Sequence, residues 1–263
     1  MSTEVLHKYP RTRHLEGSRL QPGDEDLEAV PFSELSSRPL VVEEKMDGAN
    51  AAISFTPEGE LRLQSRGHFL VGGGRERHFD LFKRWASAIA AALWPVLRDR
   101  HVLYGEWLFA KHTIFYDRLP HYFMEFDVLD LERGLFLDTP ARHALLRGLP
   151  LVSVRVLATE RFETLAELRA LSGSSAFIAE GHLERLRAAS LERGVDPARS
   201  LEETDRSREM EGLYLKLEEE GAVRGRYKLI RASFLQSVLR AEGHWLDRPI
   251  VPNQLAPGAR LFP

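Results

Sequence analysis

Cysteine is absent from this chain of 263 residues. Its absence excludes disulfide bonds and thiolate metal sites, and it favours a protein of the reducing cytoplasm. Long apolar runs are missing as well, since no stretch reaches the roughly 18 apolar residues that a membrane-spanning helix needs. Residues 1–13 are polar and lack the apolar centre of a signal peptide. The sequence therefore predicts a cytoplasmic protein with no membrane association.

An excess of either charge is missing too. The chain carries 36 Lys and Arg residues against 39 Asp and Glu residues, which gives a formal net charge of −3. Proteins that coat nucleic acid through charge alone are usually more basic. Any binding of nucleic acid is therefore expected at local basic clusters within a defined site.

Signatures of two common enzyme classes are absent. No G-x-x-x-x-G-K-[ST] sequence occurs, which argues against a P-loop kinase, and the histidines show no zinc-ligand spacing.

The overall composition is that of a globular protein, with 43% hydrophobic and 29% charged residues. That composition suits one large globular domain with at most a small appendage.

Hydrophobic periodicity predicts an α+β fold with a mostly antiparallel sheet. Alternating or β-branched runs predict strands at 40–45, 51–55, 61–64, 101–107, 122–129, 213–217 and 224–230. Helical spacing predicts helices at 79–99 and 231–241. Helical structure is also predicted over 164–194, with a capping box at its start and stops at Gly173 and Gly194. The predicted organisation is an N-terminal lead packed on the core (1–39), a main domain (40–231), and a short helix with an extended tail (232–263).

The most informative segment is Glu44-Lys45-Met46-Asp47-Gly48-Ala49-Asn50, a K-x-D-G arrangement at the end of a predicted strand. A lysine nucleophile must lose its proton, which costs roughly 4–5 kcal/mol at pH 7 from a reference pKa of about 10.4. A site that uses Lys45 must therefore place cations or apolar walls nearby. Taken alone, the motif also fits an ordinary lysine beside a turn.

Three further clusters supply groups that suit a nucleotide. Ser65-Arg66-Gly67 offers an arginine fork for phosphate or ribose. Gly105-Glu106 and Phe126-Asp127 offer a carboxylate for a ribose hydroxyl and an aromatic ring for a base. Glu211-Gly212 with Lys216, and Arg226-Tyr227-Lys228, offer an acid for Mg²⁺ and paired cations for an α-phosphate. Each cluster alone also fits a surface turn, a core aromatic or a solvated strand face.

In this order the clusters resemble the covalent nucleotidyltransferase superfamily of polynucleotide ligases and mRNA capping enzymes. The similarity is closest to ATP-dependent RNA ligases of the type-2 group, and it runs from about Val41 to Arg231. It implies an adenylyltransferase fold (ATP-grasp-like, DNA-ligase-type) with mostly antiparallel sheets flanked by helices. The sequence departs from DNA ligases and capping enzymes in one respect: only 35 residues follow Lys228, too few for the OB domain found there, so no OB domain is expected.

The resemblance implies a role for each matching residue. Lys45 takes AMP as a phosphoramidate, with Lys228, Arg226 and Glu211 as further catalytic residues. The implied nucleotide-binding residues are Glu44 at adenine, Asp47 and Asn50 near phosphate and ribose, Arg66 at ribose or phosphate, Glu106 at ribose, Phe126 stacked on adenine, and Lys216. The implied metal ligands are Glu211 and Asp47. Arg226 departs from the lysine that is frequent in the family, and arginine does not readily relay a proton.

The implied function is ATP-dependent joining of RNA 5′-phosphate and 3′-hydroxyl ends in RNA repair, with Mg²⁺ or Mn²⁺. Such a ligase needs suitable ends, so an end-healing kinase/phosphatase is the expected partner. Three alternatives stay open: a DNA nick ligase, a capping-type guanylyltransferase, and a nucleotide-binding subunit without catalysis.

Three further groups of basic residues are weaker candidates for contact with RNA. Each of them also fits an ordinary surface loop or a solvated turn. They are Lys111, His112 and His121; His68, Arg75, Arg77 and His78 around the triple glycine; and Lys8, Arg11, Arg13 and Arg19 in the lead.

Overall fold

The computed structural model describes residues 5–18, 28–234 and 249–263. Its strands are β1 (Arg13–His14), β2 (Leu40–Glu44), β3 (Ala49–Phe55), β4 (Leu61–Ser65), β5 (His101–Trp107), β6 (Phe123–Asp130), β7 (Leu135–Phe136), β8 (Val152–Ser153), β9 (Val156–Glu160), β10 (Gly212–Glu219) and β11 (Ala222–Ile230). Its α-helices are α1 (Asp80–Leu97), α2 (Thr139–Leu146), α3 (Leu165–Ala170), α4 (His182–Glu192) and α5 (Pro197–Glu202). Two 3₁₀ helices cover Phe32–Glu34 and Gly74–Phe79.

The strands form two sheets. The first sheet has the order β1-β11-β10-β2-β9, and the second has the order β4-β3-β5-β6-β7 with β8 added beside β6. Every pairing is antiparallel except those of β1 with β11 and of β8 with β6. The predicted α+β class with mostly antiparallel sheets is confirmed.

Helix α1 covers one face of the second sheet, as its sequence predicts. Phe82, Trp85, Ile89 and Leu93 recur every three or four residues and are buried in the core shared with that sheet. The stripe faces the sheet because residues at this spacing lie on one side of a helix. The predicted bounds, 79–99, agree with the observed Asp80–Leu97 to within two residues.

The helical structure predicted over 164–194, with stops at Gly173 and Gly194, is confirmed in part. The chain forms α3 and α4, and residues 171–181 between them are not helical. Phe177 and Ile178 from this break are buried against the loops beside the second sheet, and Ser174 pairs with Glu209. Burial of those side chains outweighs local helix propensity. Helix α2, helix α5 and strand β9 were not predicted, and most of the helix predicted over 231–241 lies outside the described residues.

The N-terminal lead packs onto both sheets. Its strand β1 pairs with β11 of the first sheet. The carbonyl oxygen of His7 accepts hydrogen bonds from Gln64 and Tyr104 of the second sheet, at 2.8 and 2.7 Å. The lead therefore spans the gap between the two sheets along one edge.

Two motif glycines are required by close strand packing beside Lys45. A Cβ atom on Gly212 would lie 2.2 Å from the carbonyl oxygen of Leu229, and one on Gly48 would lie 2.8 Å from that of Trp107. Both carbonyls belong to the backbone of a strand and cannot swing away, so any larger residue would push the strands apart. The backbone N–H of Lys45 donates to the Gly212 carbonyl at 3.1 Å, which ties the lysine to this tight contact.

Candidate active site

A cavity of about 930 Å³ lies between the two sheets, within the size range of small-molecule sites. The first sheet lines it with Glu43, Glu44, Tyr214 and Lys228, and the second with Ala49, Asn50, Ser65 and Phe126. The predicted site residues that line the cavity are Glu44, Lys45, Asp47, Asn50, Arg66, Glu106, Phe126, Glu211 and Lys228. Residues more than 180 positions apart in the sequence are thus brought to one chamber.

Lys45 follows the last residue of β2 and points into the cavity. Its Nζ donates to Glu211 Oε2 at 2.7 Å, and the side chain is 20% exposed. Burial by itself lowers the pKa of Lys45, but the carboxylates of Glu211, Glu106 and Asp47 raise it, and the net pKa is above the ordinary lysine value. In this arrangement Lys45 is an ammonium, so any nucleophilic attack requires neutralisation of the surrounding acids.

Glu106 is a buried cavity acid with a strongly raised pKa. Its Oε1 accepts a hydrogen bond from the Gly48 N–H at 3.1 Å. Burial raises the pKa of Glu106 to about 8, with Lys45 opposing the shift and Glu211 and Asp47 adding to it. Burial also raises the pKa of the neighbouring Glu211, where both Lys45 and Lys228 oppose the shift.

Asp47 is fixed by the loop that follows β5. Its Oδ2 accepts from the backbone N–H groups of Thr113 and Ile114, both at 2.7 Å. The backbone N–H of Asp47 in turn donates to Tyr116 Oη at 2.9 Å. The aspartate therefore joins the K-x-D-G segment to this loop, and sequence reasoning assigned no role to Tyr116.

The opposite wall suits a nucleoside. Phe126 is half-buried, and the Oδ1 atom of Asn50 is buried with no hydrogen-bond partner in the described part of the chain. A buried acceptor without a partner costs free energy, which a ligand hydroxyl or amine would recover. Burial raises the pKa of the Glu44 carboxyl, while Ser175 and Arg155 lower it by less. Arg66 is exposed at the rim of the cavity.

Lys216 and Arg226 lie behind this wall and do not line the cavity. Lys216 Nζ is 3.0 Å from Glu43 and 3.2 Å from Asp127, and it donates to the carbonyl oxygen of Phe126. The Nε of Arg226 donates to Asp127 at 2.9 Å, and its guanidinium lies over the ring of Phe136. Both cations are thus engaged by buried carboxylates, and their predicted contact with a nucleotide stays a prediction.

Comparison with known proteins identifies the family. A sequence model of the RNA ligase family matches residues 38–230, which is most of the chain. The chain belongs to the RNA ligase family. The matched residues contain every strand of both sheets except β1, and all the predicted site residues.

Solved RNA ligases share the fold of this family member. A lysine-to-alanine variant of Naegleria gruberi RNA ligase with ATP and Mn superimposes with a TM-score of 0.52 at 14% identity, covering 80% of this chain and 54% of the other. An archaeal ATP-dependent RNA ligase gives 0.52 at 18% identity, covering 86% and 49%. The chain thus spans about half the length of these two relatives. A comparison with curated proteins gives no match.

The acids of this RNA ligase family member fit a hydrated divalent cation. Glu211 and Asp47 offer the oxygen atoms that Mg²⁺ prefers, and Mg²⁺ is commonly held by one or two carboxylates plus substrate phosphates. Among residues 5–18, 28–234 and 249–263, no group of three His, Asp or Glu side chains has metal-ligand geometry. The predicted metal site therefore depends on ligand oxygens to complete it.

A residue far from the family motifs supports the same loop. Asn253 is buried in the C-terminal tail, where its Oδ1 accepts from the Tyr116 N–H at 2.9 Å and its Nδ2 donates to the Leu108 carbonyl at 2.7 Å. Through that loop the tail supports Asp47. No local sequence signal marks Asn253, because its partners lie more than 130 positions away.

The weaker basic candidates do not gather at the cavity mouth. Lys111 Nζ donates to the backbone carbonyls of His112 and Glu203, and His121 is buried against the ring of Trp85. His78 is buried as well. Arg13 lies over Tyr227, which is buried on the face of β11 away from the cavity. Among the side chains of these groups that the structure describes, which exclude those of Arg75 and Arg19, His68 lines the cavity.

The described residues contain no helix long and apolar enough to cross a membrane.

Glu106 predicts a pH dependence of stability. Its pKa is 4.5 in the unfolded chain and about 8 in the folded protein, so between these values the folded state binds the additional proton. The free energy of unfolding should therefore fall as pH rises through this window, with a contribution of about 1.4 kcal/mol per pH unit. Glu106→Gln should remove that contribution, measured as the difference between the two proteins in urea unfolding at several pH values. Parallel pH curves for the two proteins would contradict the assignment.

Proposed function

We propose that this protein is an ATP-dependent RNA ligase that joins 5′-phosphate and 3′-hydroxyl ends through a lysyl-AMP intermediate on Lys45. The observation that carries the proposal is the placement of Lys45 and Lys228 on one cavity wall and Phe126 on another, with Glu211 beside the lysine. A nucleophile, an α-phosphate cation and a base platform thus share one chamber. Family membership supports the reaction, and the ATP and AMP complexes of Naegleria gruberi RNA ligase support the nucleotide.

Three displacements at phosphorus make up the reaction. In the first, Lys45 Nζ loses its proton and attacks the α-phosphorus of ATP, so that a P–N bond forms as the bond to pyrophosphate breaks. In the second, an RNA 5′-phosphate oxygen attacks the lysine-bound AMP and frees Lys45. In the third, an RNA 3′-hydroxyl attacks the activated 5′-phosphate and AMP leaves. Lys228 faces the cavity, where its charge stabilises the negative oxygens in each step.

The cavity wall around Phe126 orients the nucleotide. The ring of Phe126 supports the base by stacking. Asn50 accepts through the Oδ1 atom that has no partner within the described chain. Glu106, with its pKa of about 8, is protonated at pH 7 before substrate binds and can donate to a ribose oxygen as well as accept.

Glu211 and Asp47 would hold Mg²⁺, for which Mn²⁺ can substitute. A bound divalent cation supplies positive charge that offsets the acids around Lys45 and the phosphate oxygens. Glu211, which now accepts from Lys45 Nζ, would exchange that contact for the cation, and the pKa of Lys45 would then fall toward a value that permits attack.

End joining tests the proposal. The protein is incubated with ATP, Mg²⁺ and an RNA that carries a 5′-phosphate and a 3′-hydroxyl, and joined product should appear. Matched nicked DNA and replacement of ATP by GTP are run beside it, and neither should give product at a comparable rate. Product from DNA alone would indicate the DNA nick ligase, GTP dependence would indicate the capping-type enzyme, and ATP binding without any adduct would indicate an inactive subunit.

The proposal also includes several more specific statements about the fold, the organisation of the chain and its role. They are the DNA-ligase-type label for the fold, the division into residues 1–39, 40–231 and 232–263, the cytoplasmic location, the role in RNA repair, and an end-healing kinase/phosphatase partner.

A further inference from the structure

Tyr9 is a cavity residue that lies outside the part of the chain matched by the family. Residues 38–230 carry the match, whereas Tyr9 belongs to the N-terminal lead. The side chain is buried in a small cluster with Ala52, Val102 and Tyr104 of the second sheet, and it lines the cavity. The lead is anchored just before it, since the His7 carbonyl accepts from Tyr104 and Gln64.

Hydrogen bonds fix the Tyr9 hydroxyl. Its Oη donates to Asp127 Oδ2 at 2.5 Å and lies 2.7 Å from Tyr214 Oη. Although burial raises the pKa of Asp127, Lys216 and Arg226 lower it by more, to about 2, so the carboxylate is ionised and can only accept. The single hydroxyl proton of Tyr9 therefore goes to Asp127, and Tyr214 donates to Tyr9.

The Tyr9 ring meets Phe126 edge to face. Their ring centroids are 5.1 Å apart with an interplanar angle of 79°, an arrangement favoured by the aromatic quadrupole. The main chain of Phe126 is held separately, because Lys216 Nζ donates to its carbonyl oxygen. Lys216 thus fixes the backbone of Phe126, and Tyr9 is the lead residue that supports its ring.

From these contacts we infer that Tyr9 is a positioning residue for the nucleobase: it holds the Phe126 ring in the orientation that stacks on the base. The inference rests on the proposed function. It assigns the lead a part in nucleotide selection. Because Tyr9 acts through the base platform, it should affect binding of the nucleoside and leave the polyphosphate contacts of Lys45 and Lys228 unchanged.

Single-turnover nucleotide transfer to Lys45 tests this. Tyr9→Met keeps much of the side-chain volume and removes the ring. It should raise the half-saturating ATP concentration about tenfold, the upper range for one aromatic pair, and change the saturating rate less than twofold. Inhibition by inorganic tripolyphosphate, which has no base, should keep its wild-type concentration dependence. Tyr9→Phe keeps the ring and should stay within about threefold of wild type for ATP.

Two controls separate positioning from loss of structure. Phe55→Met removes another buried ring, which packs against Trp94 and does not line the cavity, and it should leave the ATP dependence unchanged. In a Phe126→Leu background, Tyr9→Met should cause less than a twofold further change, because the ring it supports is gone. Tyr9→Leu replaces Tyr9→Met if the latter does not fold, as judged by its thermal unfolding.

The outcomes are distinct. An unchanged half-saturating ATP concentration in the ring-less variant overturns the inference and leaves the proposed function intact. Equal weakening of ATP and tripolyphosphate, or full additivity with Phe126→Leu, overturns it as well. Failure of the unmodified protein to form any nucleotide adduct overturns the proposed function, and this inference with it.

Discussion

Lys45→Ala is expected to abolish covalent attachment of nucleotide to the protein. The Nζ of Lys45 contacts Glu211 at 2.7 Å in the cavity, and alanine offers no nucleophile. Label from ATP carrying a labelled α-phosphate should fall from near one per molecule to background. Lys45→Arg should be equally inactive, because a guanidinium stays protonated under these conditions.

Lys8→Ala is the matched control for the Lys45 variants. Lys8 is exposed in the N-terminal lead, so its removal should leave labelling unchanged. Lys45→Ala leaves the buried Glu211 carboxyl without its ion-pair partner, so its thermal unfolding midpoint should lie below that of the wild type, and labelling is compared below that midpoint. Label that persists in a folded Lys45→Ala protein would refute the assignment of the nucleophile.

Lys216→Met is expected to give the largest loss of stability, about 3–5 kcal/mol, because it leaves buried carboxylates without their partner. The ammonium of Lys216 is buried between Glu43 and Asp127, at 3.0 and 3.2 Å. Arg142 and Arg226 remain, each paired with only one of these two acids. Urea unfolding monitored by tryptophan fluorescence gives the change directly.

The same variant should alter the acid limb of the stability curve. Asp127 has a folded pKa of about 2 against 3.8 for the unfolded chain, so its contribution is present above pH 3.8 and is lost as pH falls toward 2. Without Lys216 the folded pKa of Asp127 rises, and this acid-sensitive contribution shrinks. The difference in stability between wild type and variant should therefore narrow at low pH.

Arg38→Met provides the contrast for Lys216→Met. Arg38 pairs at 2.8 Å with Glu219, which lies on the same strand as Lys216. The two side chains are 43% and 35% exposed, so this pair is largely solvated. Exposed pairs contribute about 0–1 kcal/mol, so this variant should unfold close to wild type. Equal losses for Arg38→Met and Lys216→Met would show that the buried network does not hold the sheets together.

Local pattern was sufficient for much of the fold. Strand β5 was predicted at its observed bounds, and β2, β3, β4 and α1 within about two residues, because each has a regular apolar period and a clear turn beside it. The helical structure predicted over 164–194 is interrupted beyond its predicted stop at Gly173, where Phe177 and Ile178 are buried by residues distant in sequence. No window of local sequence contains that information.

Some of the predicted site residues lie where the local sequence placed them, and others do not. Lys45, Glu106 and Lys228 were predicted from their clusters and all line the cavity. Alternation in β11 placed Arg226 on the same face as Lys228, but pairing with Asp127 holds Arg226 behind the cavity wall. The alternation of a strand predicts on which face of the sheet a side chain lies. Whether that side chain reaches the cavity depends on the partners with which it pairs.

The sequence by itself determined the family and the order of the chemistry-bearing clusters, because these are fixed by residue type and local period. Tertiary structure decided that Tyr9 and Asn253 support the site from either end of the chain, and that Lys216 serves Phe126 and Asp127 from behind. The physical reason is that buried hydrogen bonds and ion pairs join residues across long sequence separations, and their strength depends on burial that only the packed sheets create.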